Sequence, residues 1–294
     1  MNYRHHFHAG NFADVLKHAL LVQLVRGLQR KDKGFLYLDT HAGRGAYDLA
    51  AAAFGDTLTR RPEWPEGIGR LWSLPDLPPA LTEYVDMVRA FDRTLGPAGT
   101  ESVTSIAPQF YPGSPNLVRA LARPQDRLAL CEKHPEECAA LRTELGGAAR
   151  TGIHEMDGYA ALRSMLPPPE KRALVLIDPA FEAQDEFAQI AGGLREALRR
   201  FSSGVYAIWY PLTERARVDA FFDELRILSL PPTLVVELSI AGENSSLKLK
   251  GCGLVVLNPP WQFDGATQAW LPVLARALAQ DAGGGVSQRW LVPE

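Results

Sequence analysis

The sequence predicts an α/β protein built on a doubly wound, mostly parallel sheet of seven strands with a helical insertion. Three observations carry that reading. Ala173-Leu-Val-Leu-Ile177 is apolar at every position and runs into Asp178. A strand with no polar face is buried on both sides, as in parallel sheets covered by helices. Outside residues 48–110, strand-like and helix-like segments alternate along the chain as in repeated βαβ units. The last two apolar runs, Thr233-Leu-Val-Val-Glu-Leu238 and Gly253-Leu-Val-Val-Leu-Asn258, have only a loop from Ile240 to Lys250 between them, which predicts an antiparallel hairpin.

Taken in order, Phe12, Val15, Leu16, Leu20, Leu24 and Leu28 recur at helical spacing, so residues 12–30 read as an amphipathic helix capped by Asn11. Gly34-Phe-Leu-Tyr-Leu-Asp39 follows as an apolar strand entering a glycine-rich turn. Between residues 48 and 110 the rhythm breaks at Pro62, Pro65, Pro75, Pro78, Pro79, Pro97 and Pro108, with helical patches such as Leu81 to Leu95 between them. We read that stretch as a mostly helical insertion in a domain formed by residues 1–47 and 111–294. Strands resume at Leu128–Glu132, Gly152–Asp157, Ala173–Asp178 and Gly204–Pro211, separated by helices near 135–145 and 184–200, with a further helix at 213–226. Gly283-Gly-Gly285 reads as a loop.

Composition excludes several classes. A chain of 294 residues with 46% hydrophobic and 22% charged content is ordinary globular protein. No apolar run is long enough to span a bilayer, and Met1-Asn-Tyr-Arg-His-His-Phe-His-Ala9 has no signal-peptide core, so the expected location is the cytoplasm. Cys131, Cys138 and Cys252 are odd in number and scattered, which supports neither a disulfide framework nor a zinc site. A net charge of −3 argues against a generic polyanion binder. The charge is uneven, however, because residues 1–33 sum to about +4 and add four histidines. That stretch is either a local phosphate-binding surface or a solvated basic helix.

The chemistry concentrates at strand ends, where ligands of open α/β sheets sit. Asp178, Pro179 and Phe181 fall just beyond the strand that ends at Ile177. An amino group on a flat base needs acceptors for its N–H bonds and a π-face to stack on. Asp178 offers a carboxylate, Pro179 a backbone carbonyl in a stiffened turn, and Phe181 a ring. That is the toolkit of amino-directed nucleobase methyltransferases, whose motif runs Asp/Asn/Ser-Pro-Pro-Tyr/Phe/Trp. Here it reads Asp178-Pro179-Ala180-Phe181, without the second proline. Seven strands with an antiparallel end is likewise the layout of class I S-adenosyl-L-methionine (SAM) methyltransferases. Asn258-Pro259-Pro260-Trp261 matches the motif more closely. It follows the last strand of the predicted hairpin, whose end points to the opposite rim. Topology therefore assigns catalysis to Asp178 and makes Trp261 a packing residue.

Three further acids close neighbouring strands. Asp39-Thr40-His41-Ala42-Gly43-Arg44-Gly45 is the candidate cofactor turn, in which Gly43 and Gly45 allow close approach of a ligand. It lacks the full Gly-x-Gly-x-x-Gly fingerprint, because position 48 is Asp, which disfavours a dinucleotide. Glu132 is placed to accept from a ribose diol, or is a solvent-facing strand end. Asp157, before Gly158, either accepts from an adenine amine or caps the next helix. At the N-terminus, Tyr3, Arg4, His5, His6, Phe7 and His8 interleave rings and cations, a composition suited to unpaired nucleic acid. Lys17 and His18 lie one or two turns into the first helix, near the same pocket.

These residues resemble the bacterial 23S ribosomal RNA adenine-N6 methyltransferases of the RlmJ family over essentially the whole chain. The resemblance rests on Tyr3-Arg-His-x-Phe-His-Ala-Gly-Asn11, Ala13-Asp-Val-Leu-Lys-His18, Phe35-Leu-Tyr-Leu-Asp-Thr-His-Ala-Gly43, Tyr111-Pro-Gly-Ser-Pro115, Asp157-Gly158, Leu176-Ile-Asp-Pro179, Trp209-Tyr-Pro211 and Asn258-Pro-Pro-Trp261. It implies SAM contacts from Lys17, His18, His41, Ser114, Glu132, Asp157, Gly158 and Asp178, catalysis at Asp178, and a role for Tyr3 near the target base. The implied partner is 23S ribosomal RNA, taken by a monomer with neither metal nor membrane. Ala180 and Phe181 depart from the family's proline and tyrosine. Two alternatives stay open: an amino-methyltransferase acting on DNA or another RNA, and a nucleic-acid-binding homologue that has lost activity.

Overall fold

A computed structural model of the chain describes residues 7–50, 61–96, 107–242 and 244–294. Its centre is a sheet in the order β10-β8-β9-β7-β6-β1-β4-β5, where β1 is Leu36–Asp39, β4 Arg127–Glu132, β5 Thr151–Glu155, β6 Ala173–Ile177, β7 Val205–Pro211, β8 Thr233–Ser239, β9 Gly251–Leu257 and β10 Gly285–Val292. β5, β4, β1, β6 and β7 are mutually parallel. β9 pairs antiparallel with both β7 and β8, as the missing helix between them predicts.

The sheet has eight strands where the sequence predicts seven. The additional one is β10, antiparallel to β8 at the edge, and Gly285, read as loop, is its first residue. Its residues are mostly half-buried, so it has neither an apolar run nor a clean alternation. A second, two-stranded sheet pairs β2, Ala46–Asp48, with β3, Phe110–Pro112. Asp48 and Phe110 are register partners, so the chain leaves and rejoins at neighbouring positions. Between them lie the described helices α2, Ile68–Trp72, and α3, Pro79–Leu95.

The period-two geometry of strands explains why β6 is apolar throughout. Leu174 and Leu176 enter the core on one face, together with Tyr37 and the helices α1, Phe12–Gln29, and α4, Ser114–Leu121. Ala173, Val175 and Ile177 enter the core on the other face, under α6, Gly158–Met165, α7, Glu186–Phe201, and α8, Arg215–Arg226. The remaining helices are α5, Pro135–Leu145, α9, Phe263–Gln268, and α10, Leu271–Leu278.

Helix α1 begins where Asn11 Oδ1 accepts from the amides of Ala13 and Asp14, satisfying two otherwise orphaned donors. It is buried over most of its length and carries Asp14, Lys17 and His18 inside the protein. Charged residues are seldom so buried unless paired. The chain runs outward from β1 to β4 and β5, then returns to β6 beside β1. The crevice between β1 and β6 is thus the switch point at which such sheets bind ligands.

Candidate active site

Asp39 ends β1, Glu132 ends β4, Asp157 follows β5 and Asp178 follows β6. Because these strands are parallel, all four acids stand on one rim. Asp178 is held across the crevice by α1. The Lys17 ammonium donates to Asp178 Oδ2 at 2.5 Å and to Asp14 Oδ1 at 2.8 Å. Burial opposes the charged form of Lys17, but Asp14 and Asp178 more than offset it, so its pKa stands well above the ordinary lysine value. Asp14 is fixed in turn by the Gly10 amide at 3.0 Å.

Beyond Asp178, Pro179 is buried and Ala180 exposed. Phe181 takes a left-handed backbone with φ 51°. That conformation costs a non-glycine residue about 1–2 kcal/mol. Packing holds it there: its ring meets Phe187 edge-on at 5.0 Å and Trp209 at 5.7 Å.

Asp39 is fully buried. It accepts from the Tyr37 hydroxyl at 2.7 Å, the Ser114 hydroxyl at 2.7 Å and the His41 amide at 3.3 Å. Burial raises its pKa to about 6; the Ser114 and Tyr37 hydrogen bonds pull it down, and the Asp178 charge pushes it further up. Ser114 thus serves the cofactor rim through Asp39 in this structure. Gly43 and Gly45 have φ of 60° and 82°. A side chain at Gly43 would start 2.6 Å from the Tyr47 hydroxyl, so with its positive φ the turn requires glycine there. Glu132 braces it, accepting from the Gly43 amide at 2.8 Å and the His134 amide at 2.7 Å. Each carboxylate oxygen retains a further lone pair for a ligand.

Both readings of Asp157 turn on one fact: Oδ1 caps α6 by accepting from Tyr159 and Ala160, and Oδ2 meets Lys133 at 3.2 Å. Gly158 is the first residue of that helix. His41 is half-buried, with its ring edge-on to Tyr159 at 5.5 Å. Burial lowers its pKa to about 4, so the imidazole is neutral at physiological pH. His18, next to Lys17 on α1, belongs to a buried hydrogen-bonded chain. Its Nδ1 bonds the Tyr111 hydroxyl at 2.8 Å, which meets the Tyr84 hydroxyl at 2.8 Å.

Tyr3, Arg4, His5 and His6 lie outside the described residues. Sequence reasoning missed Asp14, Tyr37 and Tyr111; for Asp14 the signal was its i,i+3 spacing from Lys17 on one helix face. Asn258 lies on the opposite rim, because β9 runs against β7. Trp261 corrects an expectation: it is 72% exposed and packs into no core. The proline before it makes the apolar contact instead, with Pro260 against Gly27.

In sheet order from β5, the main strands numbered along the chain run 3-2-1-4-5-7-6, with β10 added at the end. That order, with acids closing four neighbouring strands, defines a class I methyltransferase. The family model described as RsmJ: Ribosomal RNA large subunit methyltransferase D, RlmJ, matches residues 32–292. The chain belongs to this family of large-subunit ribosomal RNA methyltransferases, and SAM is its methyl donor.

Among curated proteins it is 37% identical over 294 residues to the Ribosomal RNA large subunit methyltransferase J of Escherichia coli (strain K12), covering 100% of both chains. It is 36% identical, over the same full coverage, to the protein of that name from Haemophilus influenzae. Among solved structures, a crystal structure of a protein from Legionella pneumophila str. Philadelphia 1 is similar with a TM-score of 0.81 and 34% identity. That match covers 96% of this chain and 97% of the other.

The residues present fit the methyl donor. The rim offers carboxylates, suited to a ligand that carries a sulfonium, an ammonium, a ribose diol and an exocyclic amine, and both oxygens of Glu132 keep a lone pair for it.

Proposed function

We propose that this chain methylates the exocyclic N6 of a specific adenine in 23S ribosomal RNA, with Asp178 as the catalytic residue. The observation that carries this is Asp178 itself. It stands at the switch point, tied through one oxygen to Lys17, and is followed by the Pro179 carbonyl and the Phe181 ring. In this reading Lys17, His18, His41, Ser114, Glu132, Asp157 and Gly158 surround the donor. Tyr3, Arg4, His5 and His6 face the RNA, and the 48–110 insertion contributes to its selection. The enzyme works as a monomer in the cytoplasm and needs no metal.

When bound, SAM supplies an electrophilic methyl group. The chain must make the adenine amine a competent nucleophile, since its lone pair is delocalised into the ring. Asp178 Oδ1, the oxygen not held by Lys17, accepts one N–H, and the Pro179 carbonyl accepts the other. Holding both protons favours a geometry that localises the lone pair, and fixing the base in line contributes much of the acceleration. As the nitrogen gains its methyl group it becomes cationic, and the Asp178 carboxylate stabilises that charge. The amine proton then leaves to Asp178 or to water, because the alkylated nitrogen is far more acidic than the amine was. Phe181 gives the base a stacking face. The adenine must be unpaired or flipped out to reach this rim. Parallel assays on unmodified 23S transcripts and duplex DNA test the substrate class. Transfer to the RNA alone supports the reading, and transfer to the duplex alone overturns it.

A further inference from the structure

The Asn258-Pro259-Pro260-Trp261 motif is not part of the catalytic rim, yet it is built firmly. Asn258 adopts φ 50° and donates through its side-chain amide to the carbonyls of Ser202 at 2.7 Å and Gly204 at 2.8 Å. Its own backbone N–H donates to Pro232 at 2.8 Å. Pro260 sits so close to Gly27 that a side chain there would start 2.6 Å from it, leaving room for glycine alone. The Arg30 guanidinium donates to the Trp261 carbonyl at 2.8 Å. Three anchors therefore hold a backbone that projects an indole, 72% exposed, into solvent. Singly exposed apolar residues are common, but tryptophan is enriched at interfaces, and this one is held outward by a fixed backbone beside a cluster of cations.

The surroundings say which partner. Arg30, Lys31 and Lys33 are exposed at the end of α1, and Lys171 is exposed in the turn before β6. Arg172 reaches the carbonyls of Lys33 and Leu28, and Arg123 those of Gln29 and Lys31, so these loops form one surface. Against these six cations stand Asp32, exposed, and Asp126, buried and paired with Arg123. Glu170, nearby, is paired with Arg127. Burial chiefly lowers the pKa of Arg172; the Arg123 charge lowers it further, and Asp126 opposes both. The whole chain is at −3, so this is a basic island on an acidic protein.

We propose that this rim, opposite the catalytic one, is a second RNA-docking surface: an unpaired base stacks on Trp261 while Arg30, Lys31, Lys33 and Lys171 meet the flanking phosphates. Aromatic platforms flanked by cations are how proteins hold single-stranded nucleic acid. The parallel strands between the two rims put them on the order of 20 Å apart, about the width of a duplex. One folded RNA domain can touch both, whereas an oligonucleotide filling the catalytic rim alone cannot. The surface would anchor the RNA without entering the chemistry.

The proposal rests on the ribosomal RNA reading, and the test separates the two. Wild type, Trp261→Ala and the double variant Lys31→Glu/Lys33→Glu are assayed for SAM-dependent methylation of, and binding to, a folded 23S domain at several salt concentrations. The expected result is a KM and RNA Kd raised about tenfold or more in each variant, with kcat and SAM affinity unchanged. The double variant should also show a salt dependence of binding shallower by roughly two phosphate contacts. Wild-type affinity and salt dependence in both variants would overturn the docking surface and leave the substrate reading intact. Altered oligomeric state with unchanged RNA affinity would assign Trp261 to a contact between copies and overturn it equally. Failure of wild type to methylate 23S RNA would instead overturn the substrate reading and this surface with it.

Discussion

The Lys17 ammonium stands 2.5 Å from Asp178, a residue 161 positions away in sequence, and 2.8 Å from Asp14 on its own helix. This relationship couples the buried first helix to the catalytic strand end. It leaves one oxygen of Asp178 engaged and the other for a ligand. Asp14 and Lys17 are 3% and 5% exposed, so neither charge can turn to water when its partner is removed. Removing one member of a buried pair typically costs about 3–5 kcal/mol. We expect Lys17→Met to lower stability by that amount in urea unfolding and to reduce methyl transfer severely. Activity and stability close to wild type would show that the pair does not position Asp178.

Asp178→Ala should abolish methyl transfer while SAM affinity changes by no more than a few-fold. Asn258→Ala should do the reverse of what its motif suggests, leaving kcat near wild type and destabilising the protein. It removes two side-chain hydrogen bonds and places alanine in a left-handed conformation. Together these are worth about 2–4 kcal/mol. Thermal unfolding and single-turnover kinetics on both variants decide between the motifs. An inactive but stable Asn258→Ala protein would place the chemistry on the other rim.

Glu132 has a double role to lose. Its carboxylate fixes the Gly43 turn through one backbone amide and anchors His134 through another. In our reading its remaining lone pairs receive the ribose hydroxyls. Glu132→Ala should therefore weaken SAM binding by about 2–4 kcal/mol, the value of two charge-assisted hydrogen bonds. RNA affinity should be unaffected. Calorimetric titration showing unchanged SAM affinity would remove Glu132 from the pocket.

His41 predicts a pH dependence of stability. Its folded pKa is depressed to about 4, chiefly by burial, against about 6.5 in an unfolded chain. A histidine held neutral contributes stability that is complete above about pH 6.5 and is lost as pH falls toward 4, where the unfolded chain gains the proton first. Comparison of wild type with His41→Asn at pH 7 and pH 4.5 should show the stability difference shifting against wild type by about 2 kcal/mol at the lower pH. A difference that does not change with pH would mean that the imidazole is not held neutral.

Much of this architecture was legible because strand burial is written in composition. β6 is apolar at every residue since both its faces meet a core, and the hairpin of β8 and β9 follows from the absence of an intervening helix. β10 was not legible: an edge strand with half-buried residues carries no periodic signal strong enough to distinguish it from loop. The four acids at strand ends were visible as a series, but their partners were not. Lys17 and Asp178 meet only in three dimensions, and Ser114 finds Asp39 from 75 positions away. Trp261 was misread because tryptophan is usually packed, and nothing local reveals that Asn258 and Pro260 hold it outward.

In the proposed mechanism Asp178 presents an adenine amine of 23S ribosomal RNA for methylation. Its most direct test is transfer of a labelled methyl group from SAM to unmodified 23S RNA, followed by digestion and identification of the labelled nucleoside, for wild type and Asp178→Ala side by side. Label is expected in N6-methyladenosine at a single position with wild type, and none with Asp178→Ala. Label in any other nucleoside, or undiminished transfer by Asp178→Ala, would contradict it.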